Sequence, residues 1–422
     1  MKKLLCAVMA IGLVGILSVG AYARDTIIYY LWDDPTYKNI VEEFNNSQDE
    51  IFVDAKIIPA KDYPSKILTL LAGGVKMDVY MNKRQVDIFP MIDNGYVEPL
   101  DELIKKYKFD LGGISVYKDI YTVDGEVYAL PFRGASWYTY YNKRVFEQAG
   151  VPTPDTFVEK GKWTWEKFVE IAEQLATGDG KVYGALMYIW SLCQSIPATQ
   201  RGIQYITADG KLDVDDSLIY SFKIRKKMES KKAIMPLVEL LVTKTHYSKA
   251  FWEGNVGMLL IGEWFPGMMI KARDENLLKG FTWHDWGLTR LPCNEAEYRT
   301  VGMPTCNHLH PDSKKKEIAF KFISWMAGAK GAEVVAKWGF LPPRSTPEVQ
   351  KRLASVLPDE KSLKYFIEPK VVLPGWFNKY APKLNTEIQK LMEEYLLTDM
   401  TDNQFMETVI KKRFENIIKA TM

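Results

Sequence analysis

Cysteine and histidine are scarce in this chain, four of each in 422 residues. Metal-ligating and nucleophilic side chains are therefore thinly supplied, and no framework of closely spaced disulfides holds the fold. Charge of one sign is missing as well. The 55 basic and 53 acidic side chains leave a net +2, without the basic excess that binding to nucleic acid or an anionic membrane surface requires. No Gly-x-Ser-x-Gly, His-Glu-x-x-His or Gly-x-x-x-x-Gly-Lys-(Ser/Thr) motif occurs, so the chain carries no recognisable hydrolase signature and no ATP-binding phosphate loop. No cofactor is expected. Internal repeats and low-complexity runs are also missing.

Long apolar runs are confined to the start. Lys2 and Lys3 precede the almost wholly apolar Leu4 to Val19, and Ala21-Tyr22-Ala23 has the small-x-small form of a signal-peptidase site. Interrupted by Gly12 and Gly15, the run is short against the roughly 20 residues of a membrane span. Residues 1–23 are thus expected to be a cleaved leader that delivers the protein to the periplasm. Cys6 lies at the very start of the apolar run, too early to be a lipidated cysteine.

What the chain has in quantity is aromatic surface, with 12 Trp, 23 Tyr and 19 Phe. So many rings stabilise a core and also suit a cleft that stacks on flat apolar faces such as those of sugars. The length is too great for one compact core and suits two lobes.

Hydrophobic periodicity predicts a strand at Thr26–Trp32, a helix through Tyr37, Ile40, Val41 and Phe44, and a strand at Ile51–Ile58. A helix through Tyr63, Ile67, Leu70 and Leu71 follows, closed by Gly73-Gly74, and then a short strand at Met77–Met81. This β-α-β-α-β order implies a mostly parallel sheet covered on both faces. Ligands sit beyond the carboxyl ends of such strands, and those ends carry Trp32, Asp33, Asn82, Lys83 and Arg84. A second α/β unit begins near Arg133. It has strands at Trp137–Tyr141 and Tyr183–Trp190, a helix capped by Thr164, and a Val-Gly-Met-Leu-Leu-Ile strand ending at Glu263-Trp264. After a predicted hairpin, a helix starts at Ser313. Further helices run through Leu384 to Tyr395 and Phe405 to Phe414.

Four stretches taken together carry a resemblance. They are Tyr140-Tyr141-Asn142-Lys143 with Ala149-Gly150-Val151-Pro152, Trp163-Thr164-Trp165-Glu166, Gly254-Asn255-Val256-Gly257-Met258 with Gly262-Glu263-Trp264, and Phe340-Leu341-Pro342-Pro343-Arg344. In this order the chain resembles the family 1 extracellular solute-binding proteins of ABC importers, the maltose-binding-protein-like group. The resemblance implies an α/β, two-lobed periplasmic-binding-protein fold with hinge strands and a cleft between the lobes. It puts lobe 1 at 24–132 and 302–344, and lobe 2 at 133–301 and 345–422. It further implies a monomer that captures a small carbohydrate and delivers it to permease subunits in the inner membrane.

The same resemblance assigns ligand contacts to Arg133, Ser136 and Trp137 at the first hinge, to Trp190 and Trp264 at strand ends, and to Trp376 on a late segment. These join Trp32, Asp33, Asn82 and Arg84. In place of the aromatic that maltose-binding protein shows after its second helix, this chain has Asn82, Lys83 and Arg84. With Arg133, these basic groups point to an acidic sugar such as a uronide.

Two rival readings accompany this one. A secreted glycosidase or lyase would need two positioned carboxylates. A metal binder could use Cys306, His308 and His310, which alternate and would share one face of a strand, with Cys293 or His284 as fourth ligand. Cys293 and Cys306 flank the predicted hairpin, and either pair or remain free thiols.

Overall fold

The computed structural model describes residues 24–421 apart from Lys279 and Pro369. The leader assigned to 1–23 lies outside the described residues. Two sheets, each with its own apolar core, make up the body of the molecule.

The first sheet has five strands in the order Ile51–Ile58, Asp25–Trp32, Val79–Asn82, Thr305–Leu309 and Leu130–Arg133. The first three are parallel, with Trp32 opposite Ile58 and Tyr29 opposite Val79. Thr305–Leu309 runs antiparallel between Val79–Asn82 and Leu130–Arg133. The carboxyl ends at Trp32, Asn82 and Arg133 therefore face the same way. Val79–Asn82, Leu130–Arg133 and Thr305–Leu309 are buried along their whole length, as strands covered on both faces are, whereas the edge strand Ile51–Ile58 exposes Phe52 and Ile57. The intervening helix Pro35–Ser47 begins where the Asp34 carboxylate accepts the Thr36 N–H at 3.0 Å. It turns Tyr37, Ile40, Val41 and Phe44 into the core beside Ile27, Tyr29, Val79 and Phe322.

The second sheet has four strands in the order Trp286–Thr289, Trp137–Asn142, Val256–Gly262 and Tyr183–Met187. The last two are parallel, whereas Trp137–Asn142 runs antiparallel to both its neighbours and pairs its first residue with Gly262. Trp137 thus starts at the edge where Gly262 and Met187 end. The helix Trp165–Leu175, capped by Thr164 with Glu166 in its first turn, packs Phe168, Ile171, Ala172 and Leu175 on this sheet. A third core joins Trp376, Leu384, Ile388, Leu391 and Phe414 of the C-terminal helices to Ala198, Leu218 and Phe222.

The chain passes between the two sheets at closely packed crossings. Thr300 Oγ1 accepts the Trp137 N–H at 3.0 Å and donates to the Trp137 carbonyl at 2.6 Å. Two residues on, Gly302 has φ +150°, and a Cβ there would lie 1.5 Å from the Ala135 carbonyl oxygen. Only glycine lets these backbones approach so closely. The Gly134 N–H in turn donates to the Leu341 carbonyl at 2.6 Å, tying a third passage of chain to the first.

The first sheet is mostly parallel, as its β-α-β-α-β order implies, and only Thr305–Leu309, which enters after Gly302, runs against the other four strands. Two sequence expectations need correction. The predicted hairpin does not form. Trp286–Thr289 pairs in the second sheet and Thr305–Leu309 in the first, so Cys306 lies in the first sheet, Cys293 in the loop that leaves the second, and both are free thiols. The late helix begins at Lys316 rather than Ser313. The Ser313 hydroxyl instead donates to Asp78 Oδ1 at 2.5 Å, tying the loop to the sheet.

Candidate functional site

The ends of the second sheet bring three indoles together. Trp137 meets Trp264 at 5.8 Å between ring centroids and 87°, and Trp190 at 6.3 Å and 69°. Trp190 and Trp264 are 5.8 Å apart. Two tyrosines extend the cluster. Tyr188 lies 5.1 Å from Trp190 and 5.0 Å from Tyr247, and the Tyr247 hydroxyl accepts the Trp264 indole N–H at 2.9 Å. Edge-to-face packing of this kind fixes each ring against its neighbour. Trp190 keeps 37% of its surface exposed, so a ring face remains open to a ligand.

Gly262 explains the pose of Trp264. A Cβ at Gly262 would lie 1.9 Å from Cζ3 of that indole, so the missing side chain is the bed on which the ring rests. Trp264 packs on both the first and the second core, which places it between the lobes.

Arg133 stands beside it. Its guanidinium carbon is 5.4 Å from the Trp264 ring, 4.9 Å from Phe340 and 5.7 Å from Tyr37, within cation–π range of all three. One terminal nitrogen donates to the Tyr37 hydroxyl. Nε stands 2.9 Å from Oε1 of the wholly buried Glu263. That approach is an ion-pair contact without hydrogen-bond alignment, since neither atom has a hydrogen-bond partner. Glu263 itself gathers the crossings: its Oε2 accepts the Leu341 N–H at 3.1 Å, and its N–H donates to the Ser136 carbonyl at 2.9 Å. Burial pushes the Glu263 carboxyl up to about 7 against the pull of Arg133.

From the first sheet, Trp32 is largely buried, edge-on to Tyr37 and Tyr63 at 5.0 and 5.4 Å. Lys83 lies over its ring at 5.5 Å and donates to the Ala60 carbonyl at 2.6 Å. Burial lowers the Lys83 amine to about 8, with Asp33 opposing the shift. Asp33 accepts the Ala60 N–H at 2.5 Å. Asn82 is buried and its Oδ1 accepts the Arg84 N–H at 3.1 Å, so it holds the turn that follows the strand. Ser136 is buried in the hinge.

Two candidates behave differently from the sequence expectation. Arg84 is chelated by Asp87 at 2.9 and 2.6 Å. Trp376 is wholly buried, 0% exposed, in the third core, and the structure does not bring it to the other indoles. Arg84 and Arg133 each have an internal carboxylate partner, so the expectation of an acidic ligand rests on Lys83 and on the Arg133 terminal nitrogen that Tyr37 does not occupy. Residues 306–310 show no shared ligand set: the His308 ring stacks on Tyr80 with Nδ1 3.0 Å from the Tyr128 carbonyl, and His310 Nδ1 accepts the Asp312 N–H at 3.1 Å. Among the described residues, no group of three or more His, Cys, Asp or Glu side chains is placed to hold a metal ion.

Sequence reasoning missed Tyr37, Tyr188, Tyr247 and Phe340, which pack against Arg133 and the indoles. Tyr188 follows the Tyr183–Met187 strand directly, so the strand-end rule covers it. Tyr247 opens a short helix far from any motif and carries no such signal. A shallow concavity of about 540 Å³ lies elsewhere, on the outer face of the C-terminal helices between Lys383 and Arg413. It has no ring walls, and Arg413 there is already paired with Glu387 and Glu394.

Two α/β lobes with aromatic side chains gathered between them define the class of two-lobed binding proteins. The signature of the bacterial extracellular solute-binding proteins matches residues 39–356, and the chain belongs to that family. A lactose-binding protein of Rhizobium radiobacter is 25% identical over 299 residues, 67% of this chain and 65% of the relative. A sugar transporter of Rhizobium etli, solved in an open conformation, is 28% identical with a TM-score of 0.74 over 94% of this chain and 100% of the other. An ABC substrate-binding protein of Listeria monocytogenes in complex with cycloalternan shares the fold, with a TM-score of 0.74 over 94% and 99% of the two chains at 24% identity.

Proposed function

We propose that this protein is the carbohydrate-binding component of an ABC importer and that it captures a neutral sugar between its lobes. The observation that carries this reading is the convergence of Trp137, Trp190 and Trp264 at one sheet edge, next to the buried cation of Arg133. Indole faces remove the apolar C–H surface of a sugar ring from water, and a few fixed polar groups then orient its hydroxyls. Among the described residues Arg133 Nη2 makes no hydrogen bond within the chain, so it is free to donate to a hydroxyl. The names of the relatives, which bind lactose and cycloalternan, support the same class. Capture without chemistry fits the carboxylates here: Asp33 is occupied by Ala60, and Glu263 by Leu341 and Arg133.

In this reading the lobes comprise 24–132 with 302–344 and 133–301 with 345–422, and they close about the Thr300–Trp137 and Gly134–Leu341 crossings. The protein acts as a monomer in the periplasm after removal of residues 1–23, and its closed lobes present themselves to permease subunits. No helix among the described residues is long and apolar enough to cross a membrane. A thermal-shift screen of neutral sugars, uronides and polyols tests the reading, since a ligand bound only by the folded state raises the melting temperature. A neutral sugar should stabilise the protein and shift its tryptophan emission. Stabilisation by uronides alone, or by no saccharide, counts against it.

A further inference from the structure

The segment that follows the Val79–Asn82 strand does more than carry Lys83 to the site. Val86, only 1% exposed, is buried in the third core together with Trp376 and Tyr380 rather than in the core of its own sheet. The helix Ala381–Leu397 lies against Gln85–Asp87, and the Phe89 ring packs on Phe377 at 5.1 Å between centroids. From the other direction, Leu373 and Phe377 pack on the first core. The turn is braced internally: Gln85 donates to the Asn82 carbonyl, and Arg84 grips Asp87 through two bonds.

This contact continues to the indole cluster. Ile189 packs on both the second and the third core, and the Ser191 hydroxyl bonds to Asn385 of the helix Ala381–Leu397. Packed side chains thus run from Val86, three residues past Lys83, through the C-terminal helices to Ile189, the neighbour of Trp190. The Tyr37 side of the site differs. There a crevice of about 170 Å³ remains between Thr36 and Asn39 of one lobe and Gly267, Ile270 and Lys271 of the other.

We propose that Val86 and Phe89 are specificity-determining residues, which wall off one flank of the cleft so that a saccharide binds end-on, with one terminus against the wall. The proposal rests on the carbohydrate reading above and goes beyond it by setting how the ligand lies. A sugar ring added at the walled terminus has to displace close-packed apolar side chains, whereas one added at the other terminus extends toward the Thr36–Lys271 crevice.

The test is calorimetric titration of the full mature chain with a disaccharide of the sugar that gives the largest thermal shift. The same disaccharide is then used with an extra ring at the reducing end or at the non-reducing end. One of the two extensions should bind about ten-fold or more weaker than the parent, equal to about 1.4 kcal/mol. The Val86→Ala/Phe89→Ala variant should recover most of that loss, and Phe377→Ala, on the opposite side of the contact, should act in the same direction. Equal tolerance of both extensions, or a rejection unchanged in both variants, overturns the proposal.

If no saccharide binds, the carbohydrate reading fails, and the wall is judged by acrylamide quenching. The emission lost on Trp376→Phe should resist quencher in the wild-type background and become accessible in the Val86→Ala/Phe89→Ala background. Quenching of Trp376 already in the wild type, or its continued protection in the variant, removes the wall.

Discussion

Arg133 Nε and Glu263 Oε1 stand 2.9 Å apart, and one closes the strand Leu130–Arg133 of the first sheet while the other follows the strand Val256–Gly262 of the second. The pair therefore lies where the chain crosses between lobes. Its energetic value comes less from attraction than from what each partner spares the other, because a lone buried charge is far costlier than a matched pair.

Above about pH 7, where the Glu263 carboxyl is charged, Glu263→Leu should destabilise the fold by about 3–5 kcal/mol, since arginine does not shed its proton to escape burial. Arg133→Met/Glu263→Leu should recover most of that loss in denaturant titrations while leaving ligand affinity low. Such a result would separate the stability role of the pair from the binding role of the guanidinium. A double variant no more stable than Glu263→Leu would contradict the argument.

The dependence of stability on pH follows from two buried groups of opposite sign. The Glu263 carboxyl is raised to about 7 by burial. The folded state therefore holds a proton that the unfolded chain has released, and this contribution to stability falls as pH rises from about 4.5 to about 7. The His308 imidazole is lowered to about 4 by burial, so its contribution is lost as pH falls below about 6.5. In the wild type the two partly cancel on acidification. Glu263→Gln removes the first alone, and its melting temperature should drop more steeply than that of the wild type between pH 6.5 and 4.5.

Gly262→Ala should act on binding through Trp264. The new methyl would lie 1.9 Å from the indole, so the ring must leave its bed and the Tyr247 hydroxyl bond is lost. Affinity for the best ligand should fall about ten-fold or more, equal to about 1.4 kcal/mol. Trp264→Ala should lose as much or more. Unchanged affinity in Gly262→Ala, measured by titration, would show that the pose of this ring is irrelevant to capture.

Thr300→Val tests the crossing. The substitution keeps the shape but leaves the Trp137 N–H and carbonyl without the bonds at 3.0 and 2.6 Å. A buried polar group left unpaired costs about 1–3 kcal/mol, and denaturant unfolding should register a loss in that range. Thr300→Ser retains the hydroxyl and should stay close to wild type.

Much of the architecture was legible because its signals are local. The strands at Asp25–Trp32, Ile51–Ile58 and Val256–Gly262 follow from short apolar runs. The start of the Trp165–Leu175 helix follows from a threonine cap and an acidic first turn. The strand-end rule placed Trp32 and Asn82 at a sheet edge, and the family resemblance added Trp190 and Trp264, without knowledge of which edge faced which. The chain's own neutralisation of its arginines was only half visible. Arg84 and Asp87 sit three residues apart, so their pairing lay within reach of local reasoning. Arg133 and Glu263 are separated by most of a lobe, and nothing in either neighbourhood announces the other.

Trp376 marks the boundary most clearly. By type and position it resembles a ligand-stacking ring, but the C-terminal helices and Val86 enclose it, because an indole gains as much from apolar burial as from a sugar face. The elements, the two-lobed class and the supply of aromatic side chains can be read along the chain, since periodicity, caps and residue type are properties of short stretches. Which rings remain open and which cations stay free was settled by folding. Burial and ion pairing depend on partners that folding brings together from distant parts of the chain.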